Sequence, residues 1–172
     1  MGSFFYFYTM IKVLFVCLGN ICRSPLAEGI FSKLITENKL THFIQCDSAG
    51  VASYHVGELA DKRTRANAQS HGIDLTHRAR AFVRADFLNF DYIIAMDKSN
   101  LEHIIKMRPE KTNAKILLMR EFDNNQIGSD VPDPYYGNEN DFENVFQILT
   151  ISCNEFLNFT KENLNNNDII QV

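Results

Sequence analysis

The chain has 172 residues, of which 45% are hydrophobic and 22% charged, the composition of a globular protein with a sizeable core. Its length fits one domain. The formal net charge of −4 argues against a nucleic-acid-binding protein, because such proteins usually carry a basic face. The four cysteines are too few and too scattered for a disulfide scaffold, and the chain lacks the closely spaced Cys and His pairs of a structural zinc site.

The two ends of the chain differ in composition from its centre. Residues 4–8 are all aromatic, but Lys12 interrupts the apolar run and no small-residue cleavage site follows, so we exclude a signal peptide. No apolar stretch approaches the roughly 20 residues of a membrane span. We therefore expect a flexible extension over residues 1–9, a domain over 10–164, a frayed Asn-rich tail over 165–172, and a cytoplasmic location without membrane insertion.

The hydrophobic pattern predicts alternating strands and helices. A nearly continuous apolar run over residues 11–16 is typical of a central strand covered on both faces. A helix is expected to follow, with Ser24 as N-cap and Pro25 in its first turn. Further strands are predicted over residues 43–47, 91–96 and 114–119, and further helices over 61–70, after Asp97 or Ser99, and through Phe142–Leu157. This alternation indicates an α/β fold with a parallel sheet and helices on both faces.

The stretch C-L-G-N-I-C-R-S-P, residues 17–25, connects the first strand to the first helix. Ligands of open α/β sheets bind at the C-terminal ends of the strands, where a helix N-terminus offers unpaired N–H groups and a positive dipole end. Gly19 allows a ligand to approach the backbone closely, and Asn20 tolerates left-handed geometry. The predicted phosphate-binding residues are Leu18, Gly19, Asn20, Ile21, Cys22 and Arg23, the last as a two-pronged clamp.

Cys17 is the candidate nucleophile of this loop. The dipoles and the guanidinium that bind phosphate also favour a thiolate at the sulfur, and a thiolate below the phosphorus atom can attack in line. Ser24 can donate a hydrogen bond to this sulfur as well as cap the helix. The spacing C-x5-R alone is weak evidence for a phosphate-binding loop. It becomes specific here because it lies between a buried strand and an amphipathic helix.

A leaving oxygen needs a proton, and the best candidate acid lies in D-P-Y-Y-G, residues 133–137. Asp133 precedes Pro134, which keeps the local backbone extended, and Tyr135 and Tyr136 can wall a slot for an aromatic ring. Taken alone, Asp-Pro commonly begins a turn. The catalytic interpretation therefore depends on its combination with the Cys17 loop.

Together, V-L-F-V-C-L-G-N-I-C-R-S-P and D-P-Y-Y-G resemble the two signatures of the low-molecular-weight protein tyrosine phosphatases. The resemblance extends over about residues 10–157. It implies a three-layer sandwich with a four-stranded parallel sheet in the order 2-1-3-4, and no metal or organic cofactor. It also implies hydrolysis of phosphotyrosine in proteins, and of small aryl phosphates, through a phosphocysteine. Because the acid must start protonated, we expect an acidic optimum for turnover.

The resemblance also implies roles that spacing alone does not indicate. Asn20 corresponds to the residue that keeps the phosphate loop in shape, and Ser48 and His77 correspond to its polar supports. Tyr54 matches an aromatic position of the substrate slot. Cys22 matches a second loop cysteine that can close a protective disulfide with Cys17. The partners implied are phosphotyrosine-containing proteins, phosphate and similar oxyanions, with the chain acting as a monomer and without nucleic acid.

Three alternatives share the loop. Thioredoxin-coupled arsenate reductases need two more cysteines midway along the chain, but no Cys lies between Cys46 and Cys153. Protein-arginine phosphatases resemble the chain except for Thr at the position of Ile21. A phosphotyrosine-binding module or redox sensor would have no need of Asp133. The basic stretch Glu58 to Arg65 departs from the family pattern and leaves the specificity of the rim open.

Overall fold

The protein is built on a parallel sheet whose strands alternate with helices along the chain. The computed structural model describes residues 9–169, with side chains described to Leu164. The strands are β1 Ile11–Cys17, β2 Ile44–Gly50, β3 Tyr92–Ala95 and β4 Lys115–Leu118. The helices are α1 Arg23–Glu37, α2 Lys62–Ser70, α3 Asp86–Asn89, α4 Lys98–Met107 and α5 Glu139–Ile169, and a 3₁₀ turn, Met119–Phe122, follows β4.

The strand order is β2-β1-β3-β4, and every pairing is parallel, which confirms the predicted sheet. β1 lies inside the sheet between β2 and β3, so both of its edges are hydrogen-bonded. Its last residue, Cys17, pairs with Gly50 at the end of β2. The residues that follow β1 therefore start from the carboxyl edge of the sheet, anchored by two neighbouring strands.

Side chains of β1 alternate between two completely buried layers. Val13 and Phe15 face the layer formed with α1 and α5. Leu14 and Val16 face the opposite layer, which contains Phe87 of α3 and Ile104 of α4 among others. This alternation is why the strand reads as one continuous apolar run, and it confirms the predicted three-layer sandwich.

Contacts between aromatic rings attach the two longest helices to the sheet. Phe15 of β1 meets Phe31 of α1 edge to face, with ring centroids 5.5 Å apart. Phe31 in turn lies 5.2 Å from Phe156 of α5. Aromatic pairs at these separations add to the stability that apolar burial gives. The start of α1 is thereby fixed relative to the end of β1.

The structure corrects two local predictions. β2 runs to Gly50 instead of ending near residue 47. Ser24 is not the N-cap of the first helix: α1 begins at Arg23, Cys22 occupies the cap position, and no side chain caps it. The hydroxyl of Ser24 is used elsewhere, because it lies beside the sulfur of Cys17.

The limits of the domain remain predictions. Residues 1–8 and 170–172, which belong to the predicted extension and tail, lie outside the described residues. Within residues 9–169, no helix combines the length and the apolar character that a membrane crossing requires.

Candidate active site

The loop between β1 and α1 turns back on itself at the carboxyl edge of the sheet. Asn20 adopts the left-handed conformation expected of it, with φ of 55°. The segment after β2 holds the start of the loop, since Val51 N–H donates to Cys17 O and Ala52 N–H donates to Leu18 O, both at 2.9 Å. The loop is therefore an extension of the sheet and not a free connection.

Gly50 supports the loop from behind, and the sequence analysis missed it. A Cβ atom at this position would lie 2.8 Å from Leu18 O and 3.0 Å from Asn20 N, which is too close for any side chain. Glycine here permits the loop backbone to lie directly against β2. The pairing of Gly50 with Cys17 would have indicated this, but a single sequence does not give strand register.

Cys17 lies on the floor of the loop and is only 2% exposed. Its Sγ atom is 3.0 Å from Ser24 Oγ and 3.3 Å from the backbone nitrogen of Asn20. The backbone N–H of Asn20 donates to the sulfur, and the Ser24 hydroxyl shares a hydrogen bond with it. The structure therefore places the Ser24 hydroxyl where the predicted hydrogen bond to the sulfur can form.

The side-chain amide of Asn20 joins four parts of the structure. Its Nδ2 donates to Ser24 Oγ at 2.8 Å and to Ser48 Oγ at 2.9 Å. Its Oδ1 accepts the backbone N–H of Arg80 at 2.9 Å and lies 2.9 Å from His77 Nε2. Because a backbone N–H can only donate, this atom is the oxygen, and Nε2 of His77 must carry a proton.

Arg23 is 3% exposed and is surrounded by acceptors. Its Nη1 donates to Asp97 Oδ2 at 2.6 Å and to Val131 O at 3.0 Å, and its Nη2 donates to Asp133 Oδ2 at 3.2 Å. Burial alone would lower the pKa of Arg23, but Cys17, Asp133 and Asp97 outweigh it and raise the pKa above its ordinary value. The guanidinium therefore stays charged in a nearly dry site.

Asp97 has two functions, of which the sequence indicated one. Of the two residues after which the sequence placed this helix, Asp97 caps α4, because its Oδ1 accepts the backbone N–H of Asn100 at 2.7 Å. Its other oxygen binds Arg23, 74 residues earlier in the chain. The carboxylate thus holds the guanidinium of Arg23 as well as the start of α4.

A cavity of about 280 Å³ opens above the loop. It brings the proposed nucleophile, clamp and acid together with all three tyrosines of the predicted slot. Tyr54 and Tyr136 are largely exposed at the rim, and Tyr135 is partly covered. The lining residues are Cys17, Leu18, Gly19, Ile21, Cys22, Arg23, Tyr54, His55, Asp133, Tyr135 and Tyr136.

His55 lines the same cavity and was not predicted. Its ring packs on the loop, with Cδ2 3.1 Å from the point where a Cβ of Gly19 would lie. Its Nδ1 is 2.9 Å from Glu58 Oε2, which fixes the ring on the rim. A side chain on Gly19 would therefore press on this ring, which would have to move by a few tenths of an ångström.

The basic stretch that follows forms another part of the rim. Arg63 is held by Asp61 through Nε at 3.0 Å and Nη2 at 2.9 Å. Its guanidinium lies 4.7 Å from the ring centre of Phe142 and 5.6 Å from that of Tyr135. A cation therefore backs one aromatic wall of the slot.

All four cysteines are free thiols, including Cys22 in the same loop as Cys17. Burial is the main cause that raises the pKa of Cys22 to about 12. This thiol is therefore protonated at neutral pH. The surroundings of Cys17 are more polar, because Ser24 Oγ and the backbone nitrogen of Asn20 lie within 3.3 Å of its sulfur.

Ser48, one of the predicted supports, leads to a further buried carboxyl group. Its hydroxyl accepts from Asn20 and donates to Glu28 Oε2 at 2.5 Å. Burial raises the pKa of Glu28 to about 7, against the opposing effect of the Ser48 hydrogen bond. Glu28 lies on α1 and was not predicted, because its position in the helix pattern carries no indication of a partner on β2.

The family is established by comparison with known proteins. The family model described as "Low molecular weight phosphotyrosine protein phosphatase" matches residues 12–168. A protein of that name from Pongo abelii is 46% identical over 148 residues, which are 85% of this chain and 93% of the relative. The chain belongs to the low molecular weight phosphotyrosine protein phosphatase family. Its enzyme class is therefore that of the phosphatases, which are hydrolases.

Solved structures place the chain in the same family. A protein tyrosine phosphatase from Entamoeba histolytica is 44% identical, with a TM-score of 0.85 over 89% of this chain and 98% of that one. A Drosophila arginine phosphatase is 35% identical, with a TM-score of 0.80 over 88% of this chain and 98% of that one. The family fold thus occurs in proteins named for different phosphorylated residues.

Replacing Ser24 by Ala tests whether its hydroxyl assists the sulfur. The change removes a donor 3.0 Å from Cys17 Sγ, and a hydrogen bond to a charged group is worth about 1.5–3 kcal/mol. We expect kcat for a small aryl phosphate to fall about 10- to 100-fold, as measured by steady-state kinetics. Ser32→Ala, on the exposed side of the same helix, should retain full activity. Equal rates for both variants would show that Ser24 has no part in the chemistry.

Proposed function

We propose that this phosphatase hydrolyses phosphotyrosine in proteins, with Cys17 as nucleophile, Arg23 as phosphate clamp and Asp133 as general acid. The observation that carries the proposal is that these three side chains line one cavity, in which Arg23 also bonds Asp133 at 3.2 Å. These residues come from two distant parts of the sequence, the loop after β1 and the segment that contains Asp133. The proposed chemistry needs no cofactor.

The first step is attack on phosphorus. Phosphate enters the nest of backbone N–H groups over residues 18–23, at the N-terminus of α1, and Arg23 binds two of its oxygens. The Cys17 thiolate then forms the sulfur–phosphorus bond as the bond from phosphorus to the tyrosyl oxygen breaks. Ser24 and the amide of Asn20 hold the sulfur below the phosphorus atom.

Asp133 handles the proton in both steps. It gives its proton to the leaving tyrosyl oxygen, and it then takes a proton from the water that hydrolyses the phosphocysteine. A phosphate dianion on Arg23 replaces the contact between Arg23 and Asp133, and repulsion between the two anions favours the protonated acid. Pro134 restricts the backbone beside the acid, which keeps its carboxyl group over the cavity.

The walls of the cavity support an aromatic substrate. Tyr54, Tyr135 and Tyr136 surround its mouth, while the nucleophile is on its floor. The side chain of phosphotyrosine is long enough to span this depth, and that of phosphoserine is much shorter. The proposed substrates are phosphotyrosine-containing proteins of the cytoplasm, with free phosphate and similar oxyanions as competitors and the chain acting as a monomer.

The alternative functions lack support from particular residues. An arsenate reductase of the thioredoxin-coupled type would need cysteines that the chain does not have between Cys46 and Cys153. Ile21 in the loop offers no hydroxyl to a guanidino substrate, which favours tyrosine phosphate over arginine phosphate. A binding module would not need Asp133 in the cavity.

The loop also allows Cys22 to trap an oxidised Cys17 as a disulfide, and this is the redox function that we propose for Cys22.

Variants of the nucleophile and the acid test the mechanism. Cys17→Ser should abolish hydrolysis of a small aryl phosphate, because the hydroxyl is not ionised in this setting. Asp133→Ala should lower kcat by about 100-fold or more, with a smaller loss for substrates whose leaving group needs no proton. Glu102→Gln, an exposed carboxylate change on α4, is the control and should retain full activity. Turnover by the Cys17→Ser protein, measured with purified samples, would refute covalent catalysis by Cys17.

Peptides of one sequence carrying phosphotyrosine, phosphoserine or phosphoarginine test the substrate class. We expect kcat/KM for phosphotyrosine to exceed the other two by about 10- to 100-fold, because only the aryl phosphate fills the slot and reaches the sulfur. Ile21→Thr provides the matched variant, and it should raise the relative rate on phosphoarginine. Comparable rates for the three peptides with wild-type protein would contradict the proposed substrate, while leaving the covalent mechanism intact.

A further inference from the structure

A cleft of about 490 Å³ lies behind the phosphate loop, between α1 and residues 72–77. It shares no lining residue with the catalytic cavity. Glu28 and His77 line this cleft, and Asp47 of β2 lies next to them. One ligand atom from each of these three side chains lies within 4.8 Å of the other two.

The orientation of His77 is fixed from outside this group. Its Nε2 must donate to Asn20 Oδ1, because the same oxygen accepts the backbone N–H of Arg80. In the neutral imidazole, the lone pair is then on Nδ1. Nδ1 faces Glu28 and Asp47, so that three electron-rich atoms point at one another. A proton on Glu28 or a cation bound between the three atoms would relieve their mutual repulsion.

The spacing of the three atoms fits a metal ion. His77 Nδ1 is 3.4 Å from Glu28 Oε2 and 3.5 Å from Asp47 Oδ1. These separations exceed the usual 2.7–3.2 Å of a direct N–H···O hydrogen bond. Zinc bonds to nitrogen and oxygen of about 2.1 Å in tetrahedral geometry place the ligand atoms about 3.4 Å apart. Both separations from His77 Nδ1 are thus those expected between zinc ligands, and the ligand atoms of the two carboxylates lie within 4.8 Å of each other.

The charge of the surroundings also fits a dication. Arg80 is the cation bonded to this cluster, through Asp47 at 2.9 Å, and it also bonds Asp86 at 3.2 Å. With Glu28 ionised, three carboxylates face this one guanidinium, which leaves two negative charges unbalanced. Arg80 bonds Oδ2 of Asp47, so the other oxygen, Oδ1, still faces His77.

We propose that Glu28, Asp47 and His77 bind one Zn²⁺ ion, with water from the cleft as the fourth ligand. One imidazole and two carboxylates form a donor set suited to zinc. Asn20 would act as the partner that holds the second ring nitrogen, an arrangement usual for metal-binding histidines. The ion would keep His77 on Asn20 and thereby couple the cleft to the phosphate loop. The proposal goes beyond phosphatase activity, since binding requires no turnover.

The test uses the full chain with Cys17→Ser, because the thiolate of the active site can itself bind zinc. Isothermal titration with Zn²⁺ should show one ion per chain. Glu28→Gln and Asp47→Asn, each in this background, should weaken that binding about tenfold or more. Asp74→Asn, an exposed carboxylate change in the same cleft, is the control and should leave it unchanged. Mg²⁺ should not compete, because it prefers six oxygen ligands.

A crystal structure that locates the bound ion tests the proposal even if one of the variants fails to fold. Crystals of the Cys17→Ser protein grown with Zn²⁺ should show an anomalous peak at the zinc edge, within bonding distance of His77 Nδ1, Glu28 Oε2 and Asp47 Oδ1. No binding in the titration, or peaks only at other cysteines or surface carboxylates, would overturn the proposal. In that case a proton occupies the space between the three side chains, and the phosphatase proposal is unaffected.

Discussion

The side-chain amide of Asn20 is the constraint on which the rest of the site depends. The residue takes a left-handed backbone conformation that turns the loop, and its amide is fully hydrogen-bonded. Through Ser24, Ser48 and the segment around His77, it connects the loop to α1, to β2 and to the chain that follows α2. A buried amide with all its partners satisfied holds one geometry, because any other would leave polar groups unpaired.

Electrostatics of the site follow from this geometry. With the loop held in place, the sulfur of Cys17 receives donors, and Arg23 remains buried among Cys17, Asp97 and Asp133. The site therefore holds a buried guanidinium at short range from two carboxylates, and burial of the cation strengthens its interaction with them. A phosphate dianion can replace the anionic contacts of Arg23 without leaving the guanidinium uncompensated. The sheet contributes rigidity, since β1 is paired on both edges.

Short-range patterns in the sequence were enough to predict the strand and the loop that form the floor of the site. The apolar run of β1, the loop with Gly19 and Asn20, and the sheet order implied by the resemblance agree with the structure. What the sequence missed involves partners far apart in the chain: Gly50 against the loop backbone, Asp97 on Arg23, and Glu28 on Ser48. The cap prediction for Ser24 was wrong because α1 begins one residue earlier, at Arg23, so that Ser24 lies inside the first turn with its hydroxyl 3.0 Å from the sulfur of Cys17.

Phosphate binding by an Asn20→Ala protein tests the central claim most directly. Asn154→Ala, an exposed change on α5, serves as the control, and circular dichroism verifies the fold of both. Since the change leaves buried partners unpaired at about 1–3 kcal/mol each, the account predicts that the Kd for inorganic phosphate rises about tenfold or more while the fold persists. Unchanged phosphate affinity in a folded Asn20→Ala protein would contradict it, because the loop would then keep its shape without the amide.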